Sequence, residues 1–206
     1  MKRTKEEALD TKKKIMDAAI KVFSTRGYNK ATLVDIAAEA NLTRGALYWH
    51  FKSKSDLFIE LSNAYGHKFV MSNIEKVLRN KKGTTIEKIK YGLENFFDML
   101  ETNEDFCAME EMYMKIFESE DPVIKSYLKN EIKEIIEPAE FFIKTIKEGI
   151  KNNEIREDID IKRLFNLLTT LLLGLESIWF MSGKNHSIKE RGKWLIEPIM
   201  EEILKK

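Results

Sequence analysis

The 206-residue sequence has one cysteine, three histidines and three prolines, and each scarcity excludes a class of structure or site. Cys107 has no second cysteine to pair with, so no internal disulfide can form, and a reducing, cytoplasmic setting is favoured. The histidines, His50, His67 and His186, lie far apart in the sequence, and no paired cysteines accompany them. We therefore expect no metal site.

Glycines are also few, at nine, and no segment alternates apolar and polar residues, so the sequence predicts an all-α fold. The first ten residues are charged and lack the apolar core of a signal peptide, so no export is expected. The apolar stretch 164–181 approaches the length of a membrane span, but polar residues interrupt it, which favours a core helix. Those residues are Asn166, Thr169, Thr170, Glu176 and Ser177.

The sequence has no Ser-His-Asp grouping and no glycine-rich phosphate loop, so we expect neither an enzyme nor a cofactor. Its formal net charge of +1 hides an asymmetry. Residues 1–55 contain 12 lysines and arginines against 6 acids, giving +6, and the other 23 basic and 28 acidic residues give −5. A basic N-terminal quarter on an acidic body indicates that the small part meets a polyanion.

The basic quarter carries closely spaced helix signals. A first amphipathic helix, which Gly27 can end, is indicated by the apolar stripe Ile15, Ala18, Ala19, Val22 and Phe23. Thr32 and Asp35 form a capping box that opens a short second helix, and Asn41 can close it in the left-handed conformation. Thr43 is placed to cap a third helix, so the sequence predicts a helix-turn-helix. A further capping box, Ser53–Asp56, opens a longer fourth helix.

The third helix presents two different faces. Leu47 and Phe51 share a face toward the core, whereas Arg44 and Tyr48 share an adjacent face that must point outward. No acid follows Thr43 in the first turn, so the helix N-terminus could accept a phosphate. Arg44 can donate a fork of hydrogen bonds to guanine in a DNA major groove, which makes this helix a candidate DNA reader.

The segments KIMDAAIKVFSTRGY and ATLVDIAAEANLTRGALYWHFKSKSDLF resemble the DNA-binding domain of TetR-type transcriptional regulators, most closely the multidrug-efflux repressor branch. The match covers about residues 10–61, and GLESIW at 174–179 is similar to a late helix of that branch. The resemblance implies an N-terminal helix-turn-helix domain, residues 1–52, and a ligand-binding and dimerisation domain, residues 53–206, with about nine helices in total. It also implies a homodimer on double-stranded DNA with an inverted-repeat operator.

By position, the resemblance implies one set of DNA-contacting residues. They are Thr32, Thr43, Arg44, Gly45, Ala46, Tyr48, Trp49, His50 and Lys54. For Trp49, packing under the recognition helix is an alternative role, and His50 is equally explained as a surface histidine with one phosphate hydrogen bond.

The segment FCAMEEMYMKIF, residues 106–117, has methionines and aromatic residues near one face, as a pocket for varied ligands or a packed core would have. The candidate ligand-binding residues are Phe96, Phe106, Met109, Glu110, Tyr113, Phe117, Phe142 and Glu176. Glu110 or Glu176 could pair with a cation. Tyr65 and Gly66, however, stand where the efflux-repressor branch tends to be polar or acidic, so a fatty acyl or other small lipophilic effector is equally possible.

The predicted helix 160–182 is apolar around much of its circumference, and the last predicted helix, 187–206, carries a second apolar stripe, which predicts a four-helix interface between two subunits. Its candidate residues are Leu168, Leu172, Leu175, Trp179, Ile196, Ile199 and Ile203. The sequence thus favours a ligand-responsive repressor. A helical adaptor without sequence-specific DNA binding is the alternative, but it does not account for the basic, aromatic third helix.

Overall fold

The computed structural model describes residues 5–204, without the side chains of residues 67–69. The described residues form eleven α-helices and no strand beyond one isolated antiparallel bridge between Ile155 and Leu204. The helices are α1 (Lys5–Arg26), α2 (Leu33–Glu39), α3 (Arg44–His50), α4 (Lys54–Tyr65), α5 (His67–Asn80), α6 (Thr85–Thr102), α7 (Glu104–Ile116), α8 (Pro122–Ile136), α9 (Glu140–Lys151), α10 (Ile161–Met181) and α11 (Ile188–Ile203).

The predicted all-α fold is confirmed. Two of the predicted helices are each divided in the structure, which gives eleven helical segments where about nine helices were expected. The fourth is interrupted at Gly66, which separates α4 from α5. The segment 122–152 is interrupted around Pro138, whose ring cannot continue a helix, so α8 ends at Ile136 and α9 begins at Glu140.

The predicted helix starts follow local capping chemistry. Thr32 and Asp35 form the reciprocal capping box of α2, and Asn41 has a left-handed φ of 53° in the turn that follows. The Ser53 hydroxyl accepts a hydrogen bond from the Asp56 N–H at the start of α4, as predicted. The return bond differs from a capping box, because the Asp56 carboxylate accepts from the Lys52 N–H instead of that of Ser53.

The chain divides into two compact units. Unit 1 contains the residues up to Gly66 together with Ala108–Lys129, and unit 2 contains His67–Cys107 and Asn130–Lys206. The predicted boundary between residues 52 and 53 divides a DNA-binding domain from a ligand-binding and dimerisation domain. The two units are instead defined by which residues pack together, so they do not test that boundary, and it stays a prediction.

Unit 1 has an aromatic core around α1 and α4. Phe23 and Phe58 are fully buried, and Tyr28 lies between them with ring-centroid distances of 5.4 and 5.8 Å. Phe58 also contacts Tyr113 of α7 and Tyr127 of α8, at 6.0 and 6.4 Å. The segment 108–129 is therefore part of the same core as the helix-turn-helix.

Unit 2 is organised around α6, which packs against α5, α9 and α11. The α6–α11 contact is close because Gly192 has no side chain, and the fully buried ring of Phe97 occupies that space. The helix α10 is long and apolar enough to span a membrane by length and composition, but core helices of soluble proteins pass the same test. Its buried stripe, which includes Leu164, Leu168 and Leu175, packs within this unit.

Replacing Gly192 tests the packing of α11 on α6. A Cβ at this position would lie 2.2 Å from Cε2 of Phe97, whose ring is fully buried. Gly192→Ala should lower the free energy of unfolding by about 1–3 kcal/mol, because overpacking forces neighbouring groups apart. Urea denaturation followed by circular dichroism measures the change.

Gly45→Ala is the matched control, because a Cβ on α3 meets no atom within 4 Å. It should leave stability unchanged or raise it by up to about 1 kcal/mol, from the better helix propensity of alanine. Equal effects of the two substitutions would contradict the close packing of α6 and α11.

Candidate nucleic-acid interface

Backbone hydrogen bonds fix the turn between α2 and α3, and one ion pair joins α2 to α1. The Leu42 N–H donates to the Ala37 carbonyl at 2.9 Å, which brings the chain sharply out of α2. The Arg26 guanidinium donates to the Asp35 carboxylate at 2.7 Å and so joins the end of α1 to the start of α2. This arrangement is the helix-turn-helix that the sequence predicted.

The short helix α3 is held by its inner face. Leu47 is fully buried, and Phe51, just after the helix, is 2% exposed. Thr43 caps the helix by accepting from the Ala46 N–H, and the first turn contains no acidic residue. Because seven residues are too few for a stable isolated helix, these core contacts determine its position.

The outer face of α3 carries the side chains that could read DNA. Trp49 is 70% exposed and Tyr48 is 43% exposed. Arg44 is exposed, and its guanidinium lies 5.6 Å from the centroid of the Tyr48 ring, in a cation–π contact. Trp49 packs its edge against His50, with 4.5 Å between ring centroids.

The other predicted DNA contacts lie around this face. Thr32 and Thr43 are exposed at the N-terminal ends of α2 and α3, and Gly45 is exposed beside Arg44. Ala46 and His50 are partly exposed. The structure thus brings eight of the nine predicted residues together on the helix-turn-helix, and their contacts with DNA stay predictions.

The side chain of Lys54 is hydrogen-bonded to backbone carbonyls within unit 1. Its ammonium donates to the carbonyls of Tyr28 and Ala31 at 2.7 and 2.9 Å, and it lies 4.3 Å from the centroid of the Tyr28 ring. Burial lowers the pKa of Lys54, although Asp121 opposes this effect. The ammonium therefore fixes the loop after α1 against the start of α4. Sequence reasoning missed this role because its partners are carbonyls more than 20 residues away, and no local pattern indicates them.

The same loop is bonded to the segment between α7 and α8. The Tyr28 hydroxyl donates to the Asp121 carboxylate at 2.8 Å, and the Asn29 amide donates to the Glu118 carbonyl at 2.9 Å. Burial and the bond to Asp121 raise the pKa of Tyr28 above its ordinary value. Burial alone would raise the pKa of Asp121, but the hydrogen bonds from Tyr28 and from the Val123 N–H hold it below its ordinary value.

The predicted ligand-binding residues lie in both units. In unit 2, Phe96 and Phe106 are buried against each other with 5.7 Å between ring centroids, and Phe142 and Glu176 are buried. In unit 1, Met109 and Glu110 are buried, Phe117 is 50% exposed, and the Tyr113 hydroxyl donates to Oγ of Ser62 at 2.8 Å.

Unit 2 contains an apolar cavity of about 50 Å³. Of the predicted ligand residues, Phe142 lines it, and the other seven do not. It lies between α5, α6, α9 and α10, and the sequence analysis identified no residue of α5 as a ligand-binding candidate.

Most of the predicted dimer residues are buried within the chain itself, and their place in an interface stays a prediction. Within one chain, five of the seven already lie in the core of unit 2 with 2–5% exposed, so they have almost no surface to offer a partner. These are Leu168, Leu175, Trp179, Ile196 and Ile203. Leu172 and Ile199 are partly exposed, and Leu172 lines the apolar cavity.

The exposed stripe of α10 lies at other positions. Leu167, Ile178 and Met181 are 51%, 52% and 85% exposed, and Gly174 lies between them at helical spacing. Because α10 is apolar on both faces, the sequence did not indicate which stripe the chain would bury. Trp194 of α11 is also exposed, at 73%.

The chain is similar to known bacterial transcriptional regulators. Residues 15–61 match the family model described as bacterial regulatory proteins, tetR family. The HTH-type transcriptional regulator AcrR of Shigella flexneri is 27% identical over 205 residues, covering 98% of this chain and 94% of that protein.

Two solved structures share the fold. NalD, the secondary repressor of the MexAB-OprM multidrug efflux pump in Pseudomonas aeruginosa, has a TM-score of 0.73 at 20% identity, covering 98% of this chain and 100% of that one. The transcriptional regulator FadR of Bacillus subtilis, in complex with stearoyl-CoA, has a TM-score of 0.74 at 20% identity, covering 91% and 97%.

Replacing Lys54 separates its structural role from DNA contact. Lys54→Met should lower the free energy of unfolding by about 1–3 kcal/mol, because the carbonyls of Tyr28 and Ala31 lose a charged donor at partly buried positions. Lys52→Met, at an exposed lysine two residues earlier, should change it by less than about 0.5 kcal/mol. Urea denaturation in the absence of DNA measures both, and equal stability of the two variants would show that Lys54 has no structural role.

Proposed function

We propose that this chain is a ligand-responsive, DNA-binding transcriptional regulator of the TetR type that acts as a repressor. The observation that carries the proposal is the outer face of α3, where Arg44, Tyr48 and Trp49 are exposed on a helix that is anchored by its other face. A side chain of this kind on a helix-turn-helix can enter a DNA major groove. The family consists of transcriptional regulators, and we propose that the chain is not an enzyme and acts in the cytoplasm.

The proposed target is an inverted-repeat operator bound by a homodimer. One seven-residue helix contacts too few base pairs to select a site alone, and a two-fold dimer doubles the sequence it reads. The two half-sites should then be centred about 34–36 Å apart, or further if two dimers bind.

The proposed dimer surface is the exposed stripe of α10, which includes Leu167, Gly174, Ile178 and Met181. Exposed apolar side chains at helical spacing indicate a surface that a partner covers. We propose this stripe in preference to the residues that the sequence predicted, because most of those are buried within the chain itself.

A small lipophilic effector is proposed to release the DNA. FadR of Bacillus subtilis was solved with stearoyl-CoA, and the apolar cavity of unit 2 could accept an alkyl chain. The remaining candidate ligand residues, such as Met109 and Tyr113, stay part of this proposal.

The base-reading role of Arg44 is tested by comparing operator and random DNA. Arg44→Ala should weaken operator binding by about 1–3 kcal/mol, because a bidentate contact to one base pair in each half-site is lost, and should affect random DNA less. Mobility shifts on the DNA that flanks the gene, with random duplexes of equal length, measure both affinities. Lys147→Ala, which removes one exposed charge from unit 2, is the control and should bind both DNAs normally.

Equal losses on the two DNAs for Arg44→Ala would contradict base reading. If the unaltered protein shows no preference for any flanking sequence over random DNA, the helical adaptor becomes the better interpretation of the chain.

The dimer surface is tested by placing a charge on α10. Ile178→Glu should give monomers in sedimentation velocity, because a carboxylate inside an apolar interface loses its hydration without gaining a partner. Ile132→Glu is the matched control, since Ile132 on α8 is 44% exposed, close to the 52% of Ile178. It should remain dimeric. A dimeric Ile178→Glu protein would exclude this stripe as the interface.

A further inference from the structure

The apolar cavity of unit 2 adjoins a second, polar cavity. The second cavity is a groove of about 220 Å³ between α5, α6 and α9. Leu78 and Phe141 line both cavities and form their common wall. An occupant that passes this wall would meet apolar side chains on one side and polar side chains on the other.

The groove contains three cations and two carboxylates. Arg79 is already paired with Glu75, since its Nε and Nη2 both bond to Oε1 of Glu75, at 2.9 and 2.5 Å. Lys88 and Lys144 make no ion pair or side-chain hydrogen bond with any other described residue. Glu148 is the remaining acid, one turn from Lys144 on α9, so the groove keeps an excess of positive charge.

The backbone at the start of α6 does not provide the anion site. The Thr85 N–H, which lies at the groove, donates to the Glu154 carboxylate at 2.5 Å, and the Thr84 N–H donates to Glu87. An anion in the groove would therefore bind to the side chains of Lys88 and Lys144. A cation there would face two unpaired ammonium groups, so the charge of the groove favours an anion.

We propose that these two cavities form one site for a linear amphiphile with an anionic head, such as a carboxylate or a phosphate. The head lies between Lys88 and Lys144, and the alkyl chain passes between Leu78 and Phe141 into the apolar cavity. The empty apolar cavity is small, but Met71 and Leu172 on its wall are only partly buried, and the flexible thioether can move to admit a chain. The inference deepens the proposed function, since it assigns the charge and shape of the effector, and its regulatory meaning rests on that proposal.

The test compares three probes with the same chain and different heads: octanoate, octylammonium and octanol. Isothermal titration calorimetry on the full-length protein should show octanoate binding roughly tenfold or more tightly than the other two, because only the carboxylate carries a negative charge that can pair with the two ammonium groups. Octyl phosphate should share the preference, and its affinity relative to octanoate identifies the preferred head. Hexanoate should bind more weakly than octanoate because it buries fewer methylene groups.

Two variants locate the head and the chain. Lys88→Gln/Lys144→Gln should lose the roughly tenfold preference for octanoate over octanol, and Lys147→Gln, on the same helix as Lys144 but outside the groove, should keep it. Ile74→Phe, which fills part of the apolar cavity, should weaken octanoate and octanol by similar factors. Circular dichroism confirms that each variant is folded.

Tighter binding of octylammonium, equal affinity of all three probes, or an unchanged octanoate preference in the double variant would overturn the site. These outcomes are independent of DNA binding. Absence of operator binding by the unliganded protein would contradict the proposed function, whereas equal affinities of the three probes would contradict only this site. Octanoate that binds in the expected way should also lower operator affinity in a mobility shift, and unchanged operator affinity would overturn its role as an effector.

Discussion

The ammonium of Lys54 is the contact on which the arrangement of unit 1 depends. It joins the first turn of α4 to the carbonyls of the loop after α1, and that loop in turn bonds through Tyr28 to Asp121. A charged donor in a partly buried position gives stronger hydrogen bonds than a neutral one, and its removal leaves the carbonyls without a partner. The position of the helix-turn-helix relative to α4 and to the start of α8 is therefore set by a few polar contacts around one aromatic core.

These contacts explain how a short and intrinsically weak helix can present a reading surface. The helix α3 has seven residues and includes Gly45, so its own propensity cannot hold it in place. Leu47 and Phe51 anchor it in the core, and the turn at Asn41 sets its direction. The packing of its inner face stabilises this short helix. The side chains of Arg44, Tyr48 and Trp49 on the outer face are therefore exposed and can contact another molecule. The lack of acids in its first turn keeps that end of the helix compatible with a phosphate.

Helix caps and helix breaks were predictable from the sequence, whereas the packing between helices that are distant in the sequence was not. The caps at Thr32, Thr43 and Ser53 and the break around Pro138 depend on residues only a few positions apart, and the structure contains all of them. The helix-turn-helix was predictable for the same reason. The orientation of α10 was not, because its leucines lie on both faces and only the packing of the other helices decides which stripe is buried. The groove beside Leu78 is lined by side chains from three helices, and no local sequence pattern predicts that these side chains lie together.

The points at which the chain passes between the two units are where an effector bound in one unit could affect the DNA affinity of the other. The chain crosses between the two units at three places, after Gly66, Cys107 and Lys129, and the last two crossings bound the segment that carries Tyr113 and Asp121. That segment is bonded to Ser62 on α4 and to Tyr28 beside the helix-turn-helix. An effector shifts DNA affinity only if it binds one arrangement of the protein better than another, and a 100-fold preference corresponds to about 2.7 kcal/mol. A change of this size is comparable with the loss of one or two hydrogen bonds to a charged group. The bond from the Tyr28 hydroxyl to the Asp121 carboxylate, which joins the loop after α1 to the start of α8 within unit 1, is of this energetic order.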